Sequence, residues 1–313
     1  MAEPEGTARP PVRALAIVGP TASGKSALAL RLAAQTPIEI ISCDSLMVYT
    51  GMDIGTGKPT RAERDAVPHH LLDVVPPSEP FHAARWAALA RVAVLDTARR
   101  GRLPVIVGGT GLYLRALLNG LFEAPPPDET IRQRHREEAQ LSGVETLHVR
   151  LASIDPETAA RVLPRDLVRI SRALEIFEQT GEPISVLQRR ATPPAGISAA
   201  VLVLDPPLER LRADIGRRFD AMMDAGLVDE TRALRAAFGP AVRPLQSLGY
   251  SQMGDLLDGR ATLAEAVAAA KMATATYARR QRTFFRKQPG AWRVTDLPTA
   301  DEVAAWGLSA LDR

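Results

Sequence analysis

The segment Gly19-Pro20-Thr21-Ala22-Ser23-Gly24-Lys25-Ser26 restricts this chain more than any other. It fits the phosphate-loop pattern at every fixed position. Before it lies a short apolar run, Ala14 to Val18, which reads as a buried strand. After it, Lys25 to Gln35 carries Leu28 and Leu32 at helical spacing. In that setting the glycines let backbone N–H groups turn toward an anion, and the helix N-terminus adds its positive dipole end. Lys25 supplies a point charge, and the Ser26 hydroxyl can reach Mg2+. The motif implies a bound diphosphate or triphosphate, hence nucleotide or ATP binding by similarity of motif, but it does not require ATP hydrolysis.

The rest of the chain extends the same architecture. Ile38 to Ile41, Leu71 to Val75 and Pro104 to Val107 read as further strands, with helices over Phe81 to Arg100 and from Gly111 to Asn119. Strands alternating with helices mean a parallel sheet covered on both faces. Pro125-Pro126-Pro127 interrupts this rhythm, and from there to about Ala195 the pattern is nearly all helical. Within it, Asp166 to Gln179 places Leu167, Ile170, Leu174 and Phe177 on one face, and Gly181 stops the helix. Ala199 to Leu204 is one more strand, and the chain after Pro206 reads as helical almost to its end. The expected fold class is α/β: a P-loop NTPase-like parallel sheet core with a helical insertion domain and a helical C-terminal part. The expected boundaries are a loose tail over 1–13, a core over 14–122 and 199–313, and an insertion over 123–198.

Composition narrows the setting. With 46% apolar and 24% charged residues among 313, a buried core is possible and wholesale disorder is excluded. The one cysteine, Cys43, rules out an intrachain disulfide and cysteine-rich zinc modules. No apolar run approaches the ~18 residues of a membrane span, and Met1 to Arg13 lacks the apolar segment of a signal peptide. A cytoplasmic protein without membrane contact is expected, acting as a monomer. Net charge is only +3, yet Lys271 to Arg293 holds seven basic residues and no acidic one. Such a segment suits a polyanion that docks at one place.

Three residues near strand ends are candidates for chemistry. Asp44 follows the second strand directly, on the side of a parallel sheet where ligands sit, and can accept a proton from an attacking nucleophile. Thr110, in Gly108-Gly109-Thr110-Gly111, can hydrogen-bond an incoming group. Asp73 is the strand candidate for an acidic metal partner, since the fourth strand ends without a carboxylate. These residues imply group transfer from a phosphorylated donor to an acceptor deprotonated by Asp44. They do not choose between a small-molecule kinase and a transferase that discards diphosphate.

Taken in order, the phosphate loop, Asp44-Ser45, Tyr49 with Gly51-Met52-Asp53-Ile54-Gly55-Thr56-Gly57-Lys58-Pro59, His69-His70-Leu71-Leu72-Asp73, and Gly108-Gly109-Thr110-Gly111-Leu112-Tyr113 resemble the tRNA dimethylallyltransferases, also called tRNA isopentenyltransferases. The resemblance runs from about residue 14 to 290. It implies transfer of a dimethylallyl group from dimethylallyl diphosphate to N6 of the adenosine just 3′ of the anticodon, in tRNAs reading codons that begin with U. Residues 19–26 would then hold the donor diphosphate, assisted by Mg2+ at Ser26. The resemblance makes Asp44 the general base, sets Thr110 against the target adenine, and makes Arg218, in Arg217-Arg218-Phe219-Asp220, the arginine that neutralises diphosphate.

The same resemblance distributes the contacts to the tRNA anticodon stem-loop. They fall on Asp44, Ser45, Leu46 and Met47; on Val168, Arg169, Ile170, Ser171 and Arg172; on Leu245, Gln246, Ser247, Leu248, Gly249 and Tyr250; and on Arg279, Arg280, Gln281, Arg282, Thr283, Phe284, Phe285 and Arg286. Thr110 and, more loosely, Arg132 join them. Arg165, Arg169 and Arg172 read as a basic stripe, and Arg279, Arg282 and Arg286 as one face of a helix that no nearby carboxylate competes for. Met47 stands where many members have glutamine, and one cysteine cannot build the zinc finger of eukaryotic-type members. The resemblance is therefore to the short bacterial form. A phosphate-loop kinase for a small metabolite, an adenylate isopentenyltransferase and a non-catalytic RNA-binding protein are the alternatives; none accounts for both the phosphate loop and the basic segments.

Overall fold

The computed structural model describes residues 11–122, 124–190 and 196–311. Among them, six strands form one parallel sheet: β1 (Val12–Val18), β2 (Ile38–Cys43), β3 (His69–His70), β4 (Leu103–Gly108), β5 (Ile197–Leu204) and β6 (Trp292–Val294). Their order is β3-β2-β4-β1-β5-β6. The central strands are apolar at nearly every position because both faces are covered. Alternation assigns the faces. Leu15, Ile17, Ile40, Val105, Leu202 and their neighbours pack with Leu28 and Leu32 of helix Lys25–Ala33 and Val303 of helix Ala300–Leu311. Helix Ala83–Arg99 covers β1, β2 and β4, and its Trp86 indole N–H donates to the Ser42 carbonyl at 2.9 Å.

The chain divides into two compact units, Met1–Leu118 with Ala195–Arg313, and Asn119–Pro194. The second is all helical among its described residues. Its core joins Leu147, Leu151, Ala159, Ile170, Ala173 and Leu174. Helix Leu167–Thr180 starts on the Asp166 side chain and ends on Gly181 in the left-handed conformation, as its punctuation dictates.

Three sequence expectations change. The third strand is not Leu71–Val75 but the two residues His69–His70, because Leu71 and Asp73 take positive φ (63° and 54°) and turn the chain out of the sheet. The run after Pro206 is interrupted by β6, a strand too short to show a period. Residues 12 and 13, expected in a loose tail, belong to β1, while the tail as far as residue 10 and Pro193-Pro194 lie outside the described residues.

Leu174 is fully buried in the helical unit. Leu174→Ala should cost about 2–5 kcal/mol, read by urea unfolding followed by circular dichroism.

Candidate active site

The strand order places β1 next to β4 and β4 next to β2, so the segments leaving their carboxyl ends lie side by side. Val18, Gly108 and Cys43 are in register there. The approach at this point is close enough to demand glycine: a Cβ on Gly108 would fall 2.1 Å from the Cys43 carbonyl oxygen. Asp44 and Thr110 are thereby brought together. Thr110 N–H donates to the Cys43 carbonyl (3.1 Å), and Ser45 N–H donates to Thr110 Oγ1 (3.1 Å).

The phosphate loop follows β1. Gly24 caps helix Lys25–Ala33 at φ 88°, which is the turn the motif's second fixed glycine exists to make. Lys25 Nζ donates to the Pro20 carbonyl (2.5 Å) and lies near Ser23 Oγ (3.4 Å). Burial, with the nearby Arg218 guanidinium adding to it, pushes Lys25 down to about 7; Asp44 pulls the other way. Arg218 comes from helix Leu208–Asp224 and is itself lowered by burial. It donates from Nη2 to the Thr56 carbonyl (2.9 Å) and from Nη1 to Thr21 Oγ1 (3.3 Å).

These groups line a cavity of about 550 Å3. Lys25, Ser26 and Arg218 stand in its wall, and so do Asp44 to Met47 and Gln246 to Gly249. Asp44 Oδ1 accepts from the N–H groups of Leu46 (2.8 Å) and Met47 (3.4 Å), which fixes the carboxylate. Its Oδ2 accepts no hydrogen bond among the described residues, and Asp44 lines the cavity. Ile215, Phe219 and Met222 give the cavity an apolar side. Tyr277, pushed up to about 12 chiefly by burial, completes that side with Arg280 stacked over its ring at 5.9 Å.

Several residues expected to touch tRNA have other work. Gln281 is buried: its amide N–H donates to the Gly109 carbonyl (2.8 Å), and its oxygen accepts from Thr21 N–H (2.9 Å). Tyr250 is wholly buried with its hydroxyl on Glu230 (2.6 Å), while Leu245 and Phe285 are core residues and the Phe284 ring packs on Gly111. Arg282 is buried against Asp205, which also binds Arg286 (2.9 Å). Burial works to raise Asp205, but the hydrogen bonds from the two arginines outweigh it and hold the carboxyl low. Arg279, Arg282 and Arg286 are therefore not one free cationic face. The competing carboxylate sits at the end of β5, 77 residues from Arg282, where a local scan cannot see it. Arg279 and Arg280 are exposed.

In the helical unit, Ile170 is core and Ser171 bonds His135 Nδ1 (2.9 Å). Arg132 and Arg172 both pair with the buried Glu175. Arg165 precedes the helix rather than lying on it and pairs with Glu145, at 86% side-chain exposure; Arg169, at 71%, sits near Asp166. The stripe is thus largely neutralised within its own unit. Val168 is 81% exposed.

Asp73 is not a free metal ligand. Its oxygens bind Lys58 (2.5 Å) and Arg64 (2.8 Å), which outweigh burial and hold it low. Among the described residues no group of three or more His, Cys, Asp or Glu could hold a metal ion. What fits Mg2+ is a hard oxygen donor on the cavity wall, the Ser26 hydroxyl, with most ligands left to phosphate oxygens and water. Thr56 and Gly57 line the cavity without having been singled out in the sequence, although Gly55-Thr56-Gly57 belongs to a quoted motif; Tyr277, expected to stack on bases or fill the core, lines it too.

With Lys25 near 7, the ammonium is present below that pH and lost above it. Inorganic diphosphate should bind progressively more weakly from pH 7 to 9, by up to about tenfold per unit. Lys25→Met should be weaker throughout and lack the extra slope; isothermal titration on both proteins cancels the titration of diphosphate itself. Equal slopes would show that Lys25 does not titrate there.

A family model described as IPP transferase matches residues 47–288. The tRNA dimethylallyltransferase of Anaeromyxobacter sp. (strain Fw109-5) is 49% identical over 292 residues, 93% of this chain and 97% of that protein. That of Koribacter versatilis is 46% identical over 87% of this chain and 89% of its own. Among solved structures, the tRNA isopentenylpyrophosphate transferase of Bacillus halodurans aligns with a TM-score of 0.68 at 37% identity, covering 96% of this chain and 97% of that one. A eukaryotic dimethylallyltransferase acting on tRNA aligns at 0.75 and 26% identity, over 93% and 77%. A match this long, in sequence and in fold, means that the chain belongs to the IPP transferase family.

Proposed function

We propose that this protein is a tRNA dimethylallyltransferase that moves the dimethylallyl group of dimethylallyl diphosphate to N6 of the adenosine 3′ of the anticodon and releases diphosphate. The observation that carries this reading is one cavity whose wall combines the phosphate-loop cation Lys25 and Arg218 with a fixed carboxylate, Asp44, and an apolar side of Ile215, Phe219 and Met222. Its relatives bear that activity in their names.

The chemistry follows from the groups present. The N6 lone pair forms the new C–N bond to the allylic carbon as the C–O bond breaks, and its electron pair leaves with diphosphate. Lys25, Arg218 and the loop N–H groups face the growing negative charge. The N6 proton goes to Asp44 Oδ2. Thr110 Oγ1 accepts from Ser45 N–H, and its O–H lies within hydrogen-bonding reach of Tyr277, so donating to the purine means exchanging that partner. The adenine must leave its stack to enter the cavity. The Ser26 hydroxyl would hold Mg2+, which when bound would add charge stabilisation for the leaving group.

For tRNA, the side chains open to solvent are Arg279, Arg280 and, in the helical unit, Arg165 and Arg169. The wall segments 44–47 and 246–249 receive the anticodon loop in this reading. Among the described residues no helix is long and apolar enough to cross a membrane.

Labelled dimethylallyl diphosphate should mark unmodified tRNA and leave AMP unlabelled; label on AMP instead would overturn the reading. Asp44→Asn should lower the single-turnover rate by roughly 10²-fold or more, and a near-wild-type rate at saturation would remove Asp44 from the base role. Arg279→Ala with Arg280→Ala should flatten the salt dependence of tRNA binding by about 0.7–0.9 per lost phosphate contact in log–log slope, with diphosphate affinity unchanged.

A further inference from the structure

We infer that Glu230 is a positioning residue that aims Arg218 at the diphosphate, acting through the loop that carries Thr56. The inference rests on the reading above, in which Arg218 meets the leaving group. Glu230 stands on helix Leu227–Phe238 and its carboxylate is saturated. Oε2 accepts from the N–H groups of Asp53 (2.9 Å) and Ile54 (2.7 Å), and Oε1 from Gly55 N–H (3.0 Å) and the Tyr250 hydroxyl (2.6 Å). Three successive backbone donors converging on one anion form a charge-assisted anchor. A group so engaged has no capacity left for a ligand; its effect must pass through what it holds.

What it holds is short and tightly located. Thr56 Oγ1 donates to the Met52 carbonyl (2.6 Å), and Lys58 Nζ donates to the Tyr49 carbonyl (2.6 Å) and to Asp53 Oδ1 (2.8 Å). Gly55 lies against the Tyr250 ring so closely that a Cβ would fall 2.5 Å from it. One residue on, the Thr56 carbonyl takes Arg218 Nη2, and at Gly57, with φ 63°, a Cβ would lie 2.2 Å from that nitrogen. Arg218 forms no salt bridge among the described residues. Its long side chain is oriented by two neutral acceptors, the Thr56 carbonyl and Thr21 Oγ1. Displacing the Thr56 carbonyl by about 1 Å is enough to misaim a catalytic group and cost up to 10²-fold.

Glu230→Gln keeps the size but presents an NH2 where two N–H donors need an acceptor. The test is a double-mutant cycle of Glu230→Gln with Arg218→Ala, read as the dissociation constant of inorganic diphosphate and as the single-turnover rate. Arg218→Ala should weaken diphosphate by about tenfold or more, and Glu230→Gln alone by about fivefold. Added to Arg218→Ala, Glu230→Gln should cost less than about twofold, because its target is gone. Equal effects in both backgrounds would mean general destabilisation and overturn the inference, as would wild-type diphosphate affinity in Glu230→Gln. If Glu230→Gln fails to fold, Tyr250→Phe removes one bond to the same carboxylate. It should weaken diphosphate about threefold in the parent and not in Arg218→Ala; a threefold loss in both overturns the proposal. Wild-type affinity in Arg218→Ala would instead sink the assignment of Arg218 itself, and this inference with it.

Discussion

Two cations, Lys25 and Arg218, are buried close enough that each is easier to deprotonate than it would be in water. Desolvation is the larger cause for both, and their mutual repulsion depresses Lys25 further. Asp44 is the carboxylate that opposes the strain, and it is placed to receive a proton rather than to pair with either cation. A site of this kind stores unfavourable energy that an incoming polyanion relieves. The protein must therefore hold the two side chains by means other than ion pairing, and much of the surrounding structure serves that end.

Neutral acceptors do the holding. The Pro20 carbonyl takes Lys25, and the Thr56 carbonyl with Thr21 Oγ1 takes Arg218. Each acceptor is in turn fixed by something rigid. Gln281 ties Thr21 of the phosphate loop to Gly109 beside Thr110, so the phosphate loop and the end of β4 share one amide. Because Asp44 and Thr110 are joined through Ser45 and Cys43, Asp44 belongs to the same network. Helix Leu263–Phe285, which supplies Gln281, also offers Arg279 and Arg280 to solvent. One element thus carries both an exposed cationic patch and the brace of the reaction centre.

The parts legible in sequence were those with a local rule. The phosphate loop has fixed spacings, the strands are short apolar runs, and the helix ending at Gly181 carries its own stop signal. Asp44 and Thr110 could be proposed because strand ends are where ligands sit in such sheets. What escaped depends on contacts between distant residues. Asp205 neutralises Arg282 and Arg286 from 77 and 81 positions away, and Glu175 does the same for Arg132, 43 positions off. An acid-free window is no evidence of free charge when the sheet can deliver a carboxylate from another strand. The burial of Gln281 and Tyr250 escaped for a related reason: a polar residue in a basic or loop segment looks exposed until its partners are seen.

The distribution of acids also explains how the site manages without an acidic metal partner on a strand. Asp73, the residue best suited by sequence, is drawn away by Lys58 and Arg64 and stabilises the turn at positive φ that ends β3. A phosphate-loop enzyme that hydrolyses a triphosphate has use for such an acid to hold its metal. In the proposed reaction the bond that breaks is an allylic C–O bond, whose ionisation needs negative charge dispersed on one side and a base for the acceptor proton on the other. A second carboxylate beside the diphosphate would repel the charge that Lys25 and Arg218 are buried to receive. In that reading Asp44, which lines the cavity and is fixed through Oδ1, stands on the acceptor side, and the same electrostatic requirement accounts for its placement.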